Sequence, residues 1–300
     1  MTLQFKHVSD IQECERLWNN FSPHRDIYDE WNWRHTYYKY FVSPLNFIVG
    51  YDADREIGIL PLQYDTQEEF WEFFGGPAME SNAVWVKSGY EYCVPDFFKA
   101  ADGPVWLDYL IGDNDYVRSL HIDDYGYELD LQKWVGADDF IENKLTGKTR
   151  KHVRASWREF NLFNPQIIHG NWDDLDVLFA LNETVFGKES SFLDKHEKQI
   201  YHDLIKLPYN WDIFSVVVEG RTVAVALVLI FKERYHFLAV GYDRTLKDLG
   251  VFINLQNIEV ALRVGAKTVD FGYHDCGWKD RWNLQKKPYY QYWAGLVPDI

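Results

Sequence analysis

The sequence predicts a mixed α/β chain made of two similar units, and three observations carry that expectation. The chain has 300 residues, about two domains' worth by the usual length prior. Twice along it, segments of helical period give way to a β-like hairpin and then a further strand. The hairpins also match. FIVGYDADREIGILPLQ in the first half and FSVVVEGRTVAVALVLI in the second each read as a buried strand, a polar turn, and a strand opening on small residues. The units are expected to span 1–140 and 141–300, each a mixed, mostly antiparallel sheet flanked by helices.

The elements follow in order. From Asp10 to Asn20, Ile11, Cys14, Leu17 and Trp18 share one helical face, and Asp10 with Glu13 forms a capping box. A second helix runs from about Asp29 to Tyr40 and stops before Pro44. The period then shortens. Asn46 to Tyr51 and Ile57 to Gln63 form a hairpin, Glu69 to Phe74 a third strand, and Gly75-Gly76-Pro77 a break. Pro95 to Ala101 is a short helix, and Trp106 to Ile111 is buried. Asp138 to Phe163 is mostly helical and carries Lys144, Lys148, Arg150, Lys151, Arg154 and Arg158. Trp172 to Val185 and Asp194 to Ile205 are helices. Ile213 to Glu219, Thr222 to Phe231 and Tyr235 to Tyr242 are strands. Gly250 to Val264 is a helix that ends at Gly265, and Thr268 to Gly272 is the last strand read from the pattern.

Composition narrows the function classes. The 46 acidic residues outnumber the 31 basic ones, for a net charge of −15. Such a surface repels phosphate backbones except where basic residues cluster. The stripe from Lys144 to Arg158 is that cluster. It reads either as a solvated helix face or as a phosphate contact. The three cysteines, Cys14, Cys93 and Cys276, are far apart and odd in number, which fits a reducing compartment and not a disulfide framework. No signal peptide is visible, and the longest apolar run, Val223 to Phe231, is about half the length of a membrane-spanning helix. A cytoplasmic protein without a membrane partner is therefore expected.

Several chemical signatures are absent. Gly147-Lys148-Thr149 resembles the end of a phosphate-binding loop, but Glu142 stands where the first glycine is required. There is no GxGxxG, no GxSxG and no HExxH, and the scattered histidines predict no metal site. What remains is a constellation in the second half. A strand ending at Tyr242-Asp243 leads to a helix opened by Leu249-Gly250-Val251, where free backbone N–H groups and the positive helix end suit an anion. The next strand ends Asp270-Phe271-Gly272-Tyr273, and His274, Lys279 and Arg281 crowd just beyond it, where open α/β sheets often bind ligands.

In order along the chain, these features resemble the GNAT-like acyltransferases related to the Fem peptidyltransferases, including the acetyltransferases linked to cellulose and exopolysaccharide clusters. The resemblance rests on Val223-Ala224-Val225-Ala226, Gly241-Tyr242-Asp243, Gly250, Asp270-Phe271-Gly272 and Trp278 to Trp282. In the first half it rests on Ile57 to Leu62, Phe74-Gly75-Gly76 and the basic helix Lys148 to Arg154. It implies tandem GNAT-like domains and transfer of an acyl group from acyl-CoA or acetyl-CoA to an amine of a small molecule, sugar or peptide.

The resemblance also implies roles for particular residues. Ala239, Val240 and Gly241 would lie along the donor and supply N–H groups to the oxyanion. Leu249, Gly250 and Val251, with Arg150 and Arg154, would hold its phosphates. Asp270, Asp243 or His274 would accept the proton, and Lys279 and Arg281 would stabilise negative charge. Trp33, Glu80 and Tyr273 are candidates for the acceptor. The segment Lys247 to Phe252 departs from the family's acyl-CoA loop at its first and last positions. An aminoacyl-tRNA donor therefore stays open, though the acidic surface disfavours it, as does a non-catalytic binding role.

Overall fold

The computed structural model describes residues 3–112 and 114–295. They fall into two compact units, one of the described residues up to 125 together with 288–295, and one of residues 126–287. The division at 140/141 read from the sequence lies within a helix of the second unit.

The first unit contains β1 (Gln4–Val8), α1 (Ile11–Phe21), α2 (Trp31–Tyr38), β2 (Leu45–Asp52), β3 (Arg55–Asp65), β4 (Phe70–Phe73), β5 (Trp85–Val86), α3 (Val94–Lys99), β6 (Val105–Ile111) and α4 (Asp115–Arg118). Strand β7 (His121–Asp130) leads out of it. The second unit contains α5 (Ala137–Asn143), α6 (Gly147–Asn161), β8 (Gln166–His169), α7 (Asp174–Phe186), α8 (Lys195–Leu204), β9 (Asn210–Val218), β10 (Arg221–Phe231), β11 (Arg234–Tyr242), α9 (Leu249–Arg263) and β12 (Thr268–Tyr273). The last strand, β13 (Gln285–Ala294), pairs from Tyr289 onward with β6 of the first unit.

The two units repeat one topology. In the first, the sheet order is β1-β2-β3-β4-β6-β13, with β5 on β3. In the second it is β8-β9-β10-β11-β12-β7. In each, a short strand precedes two helices, two long antiparallel strands follow, and a parallel pair comes late: β4 with β6, and β11 with β12. The matched hairpins are β2–β3 and β9–β10. Strands β1 and β8 went unread in the sequence, as did β7 and β13. Each is short, mostly exposed or interrupted by polar residues, so period 2 gives little contrast.

Each sheet is covered on both faces. In the first unit, Leu45, Phe47 and Val49 pack on Cys14, Leu17, Trp18 and Trp31 of α1 and α2, while Ile48, Leu60 and Leu62 pack on Phe97 and Phe98 of α3. Of the capping box expected at Asp10 and Glu13, the N-cap half is present: the Asp10 side chain accepts from the Gln12 and Glu13 amides, while the Glu13 carboxylate accepts from Arg16. Strands β4 and β6 share the ladder pair Trp71↔Val105, and beyond it the space beside β6 is filled. The Asn82 amide donates to the Tyr109 carbonyl and the Ile111 amide to the Asn82 carbonyl, each at 2.9 Å. Arg34, 1% exposed, fastens this plug through bonds to Asn82 Oδ1 and the Phe74 carbonyl, both 2.8 Å, and to the Ser81 carbonyl at 2.7 Å.

In the second unit, α7 and α9 cover opposite faces. Leu227 and its partner Ala239 join the cluster formed by Leu175, Leu178 and Phe179 of α7. Tyr235 pairs with Ile230, three residues on from Leu227 and so on the other face. Its hydroxyl bonds to Asn257 of α9 at 2.8 Å. Helix α7 sits against β11 at Gly241, where a Cβ would stand 2.3 Å from the Leu178 carbonyl oxygen and 2.7 Å from the Asn182 amide nitrogen. Gly241→Ala should therefore lower unfolding stability by about 3 kcal/mol, the upper range for overpacking a filled site. Chemical denaturation of the variant measures this.

Candidate functional site

The second unit contains a cavity of about 740 Å³ that opens where β11 and β12 part. These parallel strands pair at Arg234↔Thr268, Tyr235↔Val269 and His236↔Asp270, and the pairing ends there. Just past that point Leu238 bulges out of register, because Leu227 opposes Ala239 while Val228 opposes Phe237. Phe237, Leu238, Ala239 and Val240 on one side and Phe271 on the other line the gap.

One mouth of the cavity lies on the α9 face. Gly250 and Val251 of the helix's first turn line it, with Lys148 and His152 of α6. No side chain caps α9. Its N-cap residue Asp248, at φ 67°, instead accepts a 2.8 Å bond from the Ser156 hydroxyl. The amides at this helix start form the positive end of its dipole. The other mouth lies on the α7–α8 face and is lined by Phe186, Phe192 and Tyr201, with Phe192 and Tyr201 packed edge to face, centroids 5.0 Å apart. Trp278, Arg281 and Trp282 complete the wall. Among the described residues, no Asp or Glu lines this cavity.

The residues expected from the sequence divide into those at the cavity and those elsewhere. Ala239, Val240, Gly250, Val251, Lys279 and Arg281 line it. Gly241 and Leu249 do not. The first packs against α7, and the second is fully buried at the base of α9. Lys279, 5% exposed, donates to the Tyr273 carbonyl at 2.6 Å and the Gly272 carbonyl at 3.3 Å, so its ammonium pins the loop that follows β12. Trp33 and Glu80 belong to the first unit, and Trp33 packs in its core against Tyr28. Tyr273, the last residue of β12, and His274 just past it are exposed.

The carboxylates expected to take the proton are held in other bonds. Asp270 sits at the last β11–β12 pair. It accepts from the Gly272 amide at 2.9 Å and from Arg234 at 3.3 Å, and His236 Nδ1 lies 3.5 Å away. Burial by itself would raise its pKa. Bonding and charge from His236, with the Arg234 guanidinium, overcome that and hold the carboxyl well below the usual range. Arg234 also bonds Glu128 of β7, which accepts from Lys287 at 2.6 Å. Asp270 is thus an anion locked in a network. Asp243 is tied down by the Thr245 hydroxyl at 2.6 Å, the Thr245 amide at 2.9 Å and Arg221 at 2.9 Å, and these partners lower its pKa.

The basic helix is sorted by its period. Arg150 donates to the Glu142 carbonyl at 2.8 Å and Arg154 bonds the Glu142 side chain, so both point to α5. Lys148 and His152, four residues apart, occupy the face that lines the cavity. A helical wheel separates the two pairs; naming Arg150 and Arg154 as the phosphate ligands passed over this. The aromatic mouth left no such sequence signal, because Phe186, Phe192 and Tyr201 come from separate elements.

With this geometry in place, comparison with known proteins is informative. Residues 147–280 match a family model described as an acetyltransferase (GNAT) domain. Solved structures share the fold at low identity. The crystal structure of FemX is 12% identical, with a TM-score of 0.60 over 97% of this chain and 98% of that one. L-PGS from Bacillus licheniformis is 10% identical, with a TM-score of 0.59 over 97% and 94%. A tandem GNAT protein from the clavulanic acid biosynthesis pathway is 11% identical, with a TM-score of 0.51 over 99% and 100%. No curated protein sequence matches the chain. Among the described residues, no helix is long and apolar enough to cross a membrane.

One titrating group lies close to this cavity. Glu197 is on α8, one turn before Tyr201, and burial, then the neighbouring Asp194, push its carboxyl up to about 7. Its folded pKa exceeds the unfolded value, so the folded state holds a proton that the unfolded state releases between about pH 4.5 and 7. Stability is therefore lost as pH rises through that window. Glu197→Gln should raise the melting temperature at pH 8 and leave it nearly unchanged at pH 4; melting curves at the two pH values decide this.

Proposed function

We propose that the second unit transfers an acyl group from acyl-CoA to an amine. One observation carries the reading. The gap between β11 and β12 exposes the strand edge from Phe237 to Val240 in the same cavity as the start of α9. A pantetheine arm is an extended chain of amides and methylenes. A strand edge freed of its neighbour offers such a chain backbone hydrogen bonds along apolar walls. The pyrophosphate needs N–H groups and cations, which the amides of Gly250 and Val251, with Lys148 and His152, offer at one mouth. The matched family generally works on acetyl-CoA.

In this reading the donor supplies the activated carbonyl, and the protein positions it. In this reading an amide of the stretch from Leu238 to Val240, beside the bulge, would meet the developing oxyanion. Asn182 helps fix that stretch, since its Nδ2 donates to the Val240 carbonyl at 2.7 Å and its Oδ1 accepts from the Ser190 hydroxyl at 2.7 Å. Asp270 has a positioning role here and takes no proton. Lys279 holds the loop bearing Trp278 and Arg281 against the cavity.

Calorimetry with coenzyme A and acetyl-CoA tests the proposal. Lys148→Ala and Arg281→Ala are each expected to weaken CoA binding about tenfold, as loss of a charge-assisted bond does. Arg150→Ala should leave it unchanged. No CoA binding at millimolar concentration, with no thiol released in the presence of an amine panel, would overturn the reading. Transfer abolished by ribonuclease would replace acyl-CoA with an aminoacyl-tRNA.

A further inference from the structure

The α7–α8 side of the cavity lies across the sheet from the start of α9, and its chemistry is selective. Its walls are Phe186, Phe192 and Tyr201. Among the described residues, Lys279, Arg281, Lys148 and His152 are the basic groups at the cavity, and no carboxylate accompanies them. In a chain with 46 acidic residues against 31 basic ones, that absence is local and specific. The acidic side chains of α7 and α8 near this mouth are engaged or neutral. Glu183 pairs with Lys198 at 2.5 Å, Asp174 bonds Ser215 and Asp176 faces His202 at 3.3 Å. Glu197 is held protonated by burial up to about pH 7.

An alkylamine is almost wholly ammonium at neutral pH, since such amines titrate near about 10. Taking that charge into an apolar cavity with no counter-charge is costly. It would also meet repulsion from Lys148, Lys279 and Arg281. A nucleophile that arrives neutral avoids both penalties and needs no carboxylate to take a proton before attack. We propose that the acceptor is a weakly basic amine on an uncharged, apolar body, received as its free base against Phe186, Phe192 and Tyr201. This rests on the acyl-transfer reading for the term acceptor; the preference for a neutral apolar amine is a property of the cavity itself. Polyamines and lysine side chains are excluded by the same argument.

Direct binding separates the two ideas, because it requires no turnover. Three probes would be titrated into the full chain at pH 6, below the Glu197 transition, by calorimetry or ligand-observed NMR: 4-ethylaniline, 4-ethylbenzylamine and cadaverine. The first two share one apolar body and differ in charge. 4-Ethylaniline is expected to bind at least tenfold more tightly than 4-ethylbenzylamine, and cadaverine not measurably. Phe186→Ala and Tyr201→Ala should each weaken 4-ethylaniline binding several-fold without moving the affinity for CoA. Equal or tighter binding of either charged amine would overturn the inference. So would weak binding of all three probes together with hexanoyl-CoA binding much more tightly than acetyl-CoA, since the aromatic mouth would then hold the acyl chain. Should CoA fail to bind while 4-ethylaniline binds as expected, the donor assignment falls and the site stands.

Discussion

The second unit depends on the cluster that ends the parallel pairing of β11 and β12. Arg234 on β11 reaches both Asp270 on β12 and Glu128 on β7, and Lys287 completes the set at Glu128. His236 faces Asp270 from the last paired position. Buried charges are tolerated when each has a partner, and removing one partner strands the others. The cluster therefore does more than stabilise. It fixes the residue at which the strands stop pairing, and that residue fixes where the cavity begins. The bulge at Leu238, the approach of α7 at Gly241 and the loop held by Lys279 all follow from strands that are joined up to His236 and free beyond it.

Much of the architecture was legible in the sequence because long strands and amphipathic helices carry strong periodic signals. Both hairpins, α1, α7 to α9 and the β11–α9–β12 succession fall close to where the pattern places them. The helix read from Asp138 to Phe163 is two helices, α5 and α6, separated at Lys144 to Thr146. The strands at the ends of the sheets escaped notice for the physical reason that a strand exposed on one side, as in QFKHV or QIIH, has little apolar alternation to read.

The site was legible in part. Glycine at the start of α9 and the small residues of β11 mark places where backbone must be approached closely, and sequence preserves that constraint. The carboxylates misled, because a sequence cannot distinguish an acid that faces a cavity from one spent on a neighbouring arginine. Asp270 and Asp243 both have their lone pairs taken. The basic helix shows the same limit in another form. Its basic residues are close in sequence, yet opposite faces of the helix serve Glu142 and the cavity, so only the period separates a structural pair from a ligand-facing one.

The path of β13 has a consequence for how the chain comes to be folded. β6 in the first unit takes its last neighbour from residues that follow the whole of the second unit. On the ribosome, the N-terminal sheet therefore emerges with the β6 edge unpaired and must wait while more than half the chain is synthesised. An unpaired edge is open to other strands during that time. β7, by contrast, is made before the rest of the second sheet and is ready when β12 arrives. The second unit can finish as soon as β12 and the loop beyond it are clear of the exit tunnel, so the half that begins folding first is the last to be completed.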